Sequence, residues 1–233
     1  MLPPVVVWLC VVVAWCHAHA VHGEELVPLP QSLVVENDVM SFHLELVGGF
    51  TLRQIQDRRT GTTFLHEETA DRGPLGLQIW PENRIVYRNF GPRDLVVTRV
   101  DATRTPSGVR TEIGLEVDVP KLEFRVVITL PDDSTFSEWQ VFAKNGADEP
   151  VGLGLLFPNL PVRIDGERPT WGMVPIELGV SGPLDHTLGA PMNVMNALQF
   201  GVVGQAPDEP SLAVINLAQG AVDLHLTVEG DGR

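Results

Sequence analysis

The sequence predicts an all-β fold, a twisted antiparallel β-sandwich, from three observations. Short apolar runs alternate with polar residues at period two. Turn residues separate these runs at regular intervals, drawn from 22 glycines and 19 prolines. Long amphipathic helical periods are scarce after Glu24. Period-two alternation with one polar face is what a half-buried antiparallel strand requires. Strands that follow one another without helices between them stack into a sandwich or close into a barrel.

The first segment reads as an export leader, apart from that domain. Residues Val5 to Trp15 are almost wholly apolar, and no Lys, Arg, Asp or Glu precedes Glu24. This run is shorter than the roughly 20 apolar residues that span a bilayer. It has the size of a signal-peptide hydrophobic region. Ala18-His19-Ala20 follows as an A-x-A cleavage pattern, and Val21-His22-Gly23 offers a second cut. Residues 1–23 are read as a signal peptide cleaved after Ala20 or Gly23, with an uncleaved anchor as the rival. Residues 24–233 are read as a single β-sandwich domain, secreted or periplasmic. Both cysteines, Cys10 and Cys16, lie in the leader. The mature chain then has neither a disulfide framework nor a Cys-based zinc site.

Within the domain the clearest strand is Thr111 to Val119, with Ile113, Leu115, Val117 and Val119 on one face and Glu112, Glu116 and Asp118 on the other. Pro120-Lys121 turns the chain. Leu122, Phe124, Val126, Ile128 and Leu130 then repeat the inward face. Thr105-Pro106-Ser107-Gly108 separates Leu95–Val100 from Val109–Val119, and Pro131-Asp132-Asp133-Ser134 leads into Phe136–Ala143. Asn145-Gly146 begins a turn back to Val151–Phe157. Asn159 to Pro191, punctuated by prolines, reads as long loops with short strands within. Asp223 to Glu229 alternates again.

Charge narrows the function classes. Thirty acidic against 16 basic residues give a net charge of −14, which argues against nucleic acid and against anionic membrane surfaces. No GxSxG elbow, phosphate loop, HExxH helix or dinucleotide fingerprint occurs. No catalytic residue, metal site or cofactor is assigned. His43 and Glu45 sit two apart on a strand, and His66-Glu67-Glu68 forms a polar run. Each reads first as an ordinary polar surface, because a metal needs further ligands. Asp132-Asp133 is explained by turn chemistry, and His186 gains interest only beside a carboxylate in a cleft. Sugar-binding proteins stack pyranose rings on exposed aromatic faces. Trp139 alternates with Val141 as core, which leaves Trp171, among the prolines, and Trp80, opposite Leu75, Leu77 and Ile79, as candidate carbohydrate-binding residues.

Several segments resemble a known family. Val34-Val35-Glu36-Asn37, Gly48-Gly49-Phe50-Thr51-Leu52 and Asp57-Arg58-Arg59-Thr60-Gly61 are similar to the opening of the galactose-mutarotase-like supersandwich at the N-terminus of large secreted glycoside hydrolases. There an "EN" strand precedes a hairpin ending in a D-x-x-T-G turn. Trp139-Gln140-Val141 through Asn145, then Phe157-Pro158-Asn159-Leu160, is similar to a later strand pair, and Leu198-Gln199-Phe200 to another strand. The resemblance implies a non-catalytic sandwich that supports a (β/α)-barrel carrying the catalytic carboxylates. The sequence closes at Arg233 after a strand, so the expected partners are carbohydrate and a missing barrel or split partner chain. Two other readings stay open: a self-contained mutarotase-like or lyase-like enzyme, and an envelope interaction protein.

Overall fold

The computed structural model describes residues 6–7, 9–10, 28–64, 73–80, 88–118, 120–157, 171–174, 180–183, 200–204 and 211–215. Two short pieces, β1 (Val6–Val7) and β2 (Leu9–Cys10), precede the main strands. β3 (Ser32–Glu36), β4 (Met40–Glu45) and β5 (Thr51–Asp57) form a three-stranded antiparallel meander. β6 (Gly76–Trp80) and β7 (Arg88–Phe90) pair antiparallel, and β12 (Gly152–Leu156) joins the other side of β6. β8 (Val96–Thr105), β9 (Gly108–Val117), β10 (Leu122–Pro131) and β11 (Ser137–Asn145) run as a second meander, with β2 parallel along β11. β13 (Trp171–Val174), β14 (Val180–Pro183), β15 (Phe200–Gly204) and β16 (Ser211–Ile215) build a further sheet in the order β1-β16-β15-β13-β14. Among the described residues the only helical turn is a 3-10 turn at Pro92–Asp94, and no helix is long and apolar enough to cross a membrane. The fold is an all-β sandwich.

Alternation drives this arrangement. Along β9 and β10, Ile113, Leu115, Val117, Leu122, Phe124, Val126, Ile128 and Leu130 are buried, while Glu112, Glu116, Glu123 and Arg125 are partly exposed. The buried face meets Phe42, Leu44, Leu52 and Ile55 from the first meander and Leu77 and Ile79 from β6, so three sheets share one core. Trp139 is fully buried within it. Its ring meets Phe42 edge-on at 5.3 Å between centroids and Phe157 at 6.2 Å. A buried indole needs a partner for its N–H; here Nε1 donates to Ser137 Oγ at 3.1 Å.

Two expectations change in the folded chain. Asn145-Gly146 does turn the backbone, with Asn145 Oδ1 accepting from Ala147 N at 2.9 Å. The next strand, β12, does not return along β11. It crosses to the neighbouring sheet and pairs with β6, Leu155 opposite Leu77. β8 also runs further than Leu95–Val100, to Thr105, although Asp101 to Arg104 are exposed. Pairing with β9, not burial, holds that half of the strand extended.

Candidate functional site

Three turns converge at one end of the sandwich, around Asn37 and Asp57. Asn37 follows β3 and is buried. Its Oδ1 accepts from the amides of Val39 and Met40, both at 2.8 Å, which closes the β3–β4 turn. Its Nδ2 donates to the carbonyls of Pro131 at 2.6 Å and Ser134 at 2.9 Å, across in the β10–β11 turn. One short side chain therefore ties two meanders together.

Asp57 ends β5 and has no exposed side-chain surface. Oδ1 accepts from Arg59 N at 2.9 Å, and the Arg59 guanidinium lies 3.7 Å away. Its backbone carbonyl accepts from Gly61 N at 2.8 Å, and its amide donates to Thr62 O at 2.9 Å. Gly61 carries a φ of 78°, the left-handed conformation that this turn needs and that glycine adopts without steric penalty. Among the described residues, Asp57 Oδ2 has no hydrogen-bond partner. Arg58 completes the cluster: it donates from a guanidinium nitrogen to Asn37 O at 2.5 Å and lies 3.3 Å from Glu36. These groups serve one another and the backbone. The arrangement is a clamp on the turns, with no nucleophile and base set side by side.

The candidate ligand pairs take similar structural roles. The register shift between His43 and Leu44 makes Arg53 the extra residue of β5. A bulge re-aims its side chain, and Arg53 engages the Glu45 carboxylate in a hydrogen-bonded ion pair. Glu45 is thus committed beside His43. Among the described residues no group of three His, Cys, Asp or Glu side chains is placed to hold a metal. Asp132 and Asp133 occupy the expected turn, where Asp132 pairs with Arg104 at 2.7 Å and donates its amide to Ser107 O at 3.1 Å. His66-Glu67-Glu68 and His186 lie outside the described residues.

The two candidate tryptophans stand in different sheets. Trp171 opens β13, in register with Pro183 of β14 on one side and Gly204 of β15 on the other. Trp80 closes β6, in register with Gly152 of β12. The buried Trp139 is registered instead against Ile128. Sequence reasoning marked Asn37 and Asp57 only as motif residues and missed Arg53 and the clamp. A polar residue at a strand end, followed by a turn two or three residues later, was the one local signal. Compared with known proteins, the chain matches no family model, no curated protein and no solved structure.

Proposed function

We propose that this chain is an exported, non-catalytic β-sandwich module of a carbohydrate-active enzyme, with weak carbohydrate binding of its own at Trp171 and Trp80. In this reading it buttresses a glycoside-hydrolase (β/α)-barrel, supplied by the same or a partner chain. The galactose-mutarotase-like resemblance includes Glu36-Asn37 and Asp57 to Gly61 among its segments. The clamp gives those residues a scaffold role, which fits a supporting domain.

The observation that carries the sugar-binding part is the register. Trp80 lies opposite Gly152, and Trp171 lies between Gly204 and Pro183, so each has a glycine in register on one side. A single stacking contact supports affinity on the order of 1 mM, insensitive to salt because a neutral sugar pairs no charge. Titration with neutral oligosaccharides should change tryptophan fluorescence, and Trp171→Ala should abolish most of the change. Binding that survives both Trp171→Ala and Trp80→Ala overturns the platform.

A further inference from the structure

Among the described residues, strand β8 is the last strand of the β2-β11-β10-β9-β8 sheet. It pairs with β9 on one side, and among the described residues no strand pairs with the other. It is ten residues long, and Thr98, Arg99, Asp101, Ala102, Thr103 and Arg104 are exposed. An unpaired edge is a template for another strand, and proteins guard such edges with charges and bulges. β8 has both, with an irregularity between Val97 and Arg99 and three charged residues after it. The order of those charges discriminates between partners.

The geometry settles which backbone groups face outward. Only two residues separate the paired Thr105 and Gly108, which leaves room only for a narrow pair exchanging both backbone bonds. Alternation then turns Thr103 and Asp101 toward β9 and leaves the amides and carbonyls of Val100 and Ala102 at the open edge. Val100 sits opposite Ile113 and packs on the core, whereas Arg99 and Asp101, opposite Gly114 and Glu112, share the other face. Their side chains are 65% and 52% exposed and meet each other at 2.9 Å.

From this geometry we propose that β8 pairs with β8 of a second copy of this chain, antiparallel about Val100, joining two sheets into one. That register bonds the two Val100 residues to each other. It also sets each Arg99 directly opposite the other copy's Asp101, in the pair type where side chains approach most. An axis at Ala102 instead sets each Asp101 opposite the uncharged Thr103 of the other copy, so no opposite charge offsets the two diagonal carboxylates. The strand is thus complementary to itself. This surface is independent of the sugar-binding reading. An edge contact falls in the weak class of interfaces, below about 1,200 Å², so dissociation is expected on the order of 0.1 mM.

Sedimentation velocity of the full chain over a concentration series tests this. The mass should rise from one chain toward two. Arg99→Asp and Asp101→Arg should each weaken association about tenfold or more, because like charges then oppose. An equimolar mixture of the two variants should recover it, since each supplies the charge that the other lacks. Neither variant keeps the pair within its own strand, so recovery can arise only between chains. Independently of any variant, amide exchange at Val100 and Ala102 of the native chain should slow as concentration rises. A constant one-chain mass, undiminished association of either variant, a mixture that stays monomeric, or concentration-independent exchange each overturns the proposal.

Discussion

Asn37 uses both amide hydrogens and its carbonyl oxygen, and its own backbone amide donates to Met40 O at 3.0 Å. Truncating such a group strands its partners, and a buried unsatisfied donor or acceptor costs about 1–3 kcal/mol. Asn37→Ala should destabilise the chain by about 3 kcal/mol, which lowers Tm by roughly 6–12 °C for a domain of this size. Thermal denaturation followed by circular dichroism measures it, and a shift below about 2 °C would mean the clamp bears no weight. In the sequence this residue was legible as part of a turn. Its grip on Pro131 and Ser134 was not, because those partners lie 94 and 97 positions away, beyond any local pattern. The same holds for Arg53, which alternation assigns to a face but which a bulge carries elsewhere.

At the scale of elements, the β4–β5 turn docks onto the Pro92–Asp94 turn through the Phe50 amide, which donates to Pro92 O at 3.2 Å. Gly48 and Gly49 sit in that turn with φ of 72° and 137°. A Cβ added at Gly48 meets nothing within 4 Å, whereas one at Gly49 falls 2.1 Å from Pro92 O. Gly48→Ala should therefore cost about 1 kcal/mol from backbone strain alone. Gly49→Ala should cost about 3 kcal/mol or more, because strain and a clash with fixed backbone combine. Urea midpoints of the two variants compare them, and equal midpoints would refute the docking. Elements defined by burial were legible: β9 and β10 declare themselves by alternation from Ile113 to Leu130. The second half of β8 was not, since exposed Asp101 to Arg104 carry no periodic signal. Nor was the destination of β12, for turn residues such as Asn145-Gly146 fix a change of direction and say nothing about which sheet receives the next strand.

For the whole molecule, the apolar run Val5–Trp15 and its A-x-A pattern predict export with removal of the leader. N-terminal sequencing of the exported protein should begin at Val21 or Glu24, and recovery of an intact Met1 in the membrane fraction would show an anchor instead. The sandwich architecture was legible because a single core recruits alternate residues from β3 to β12, whereas the sugar-binding candidates rested on residue type alone until register gave them neighbours. The crossing of β12 also sets a timetable. A chain that emerges N-terminus first can close β3–β5 and then β8–β11 from neighbouring segments. β6 must wait with one edge bare until Gly152–Leu156 arrives. Such distant pairings slow folding, because loop-closure entropy is lost before the contacts form. The ribosome or the export channel, by delivering β12 late, thus decides when the three-sheet core can first be sealed, and until then β6 stays open to a wrong partner.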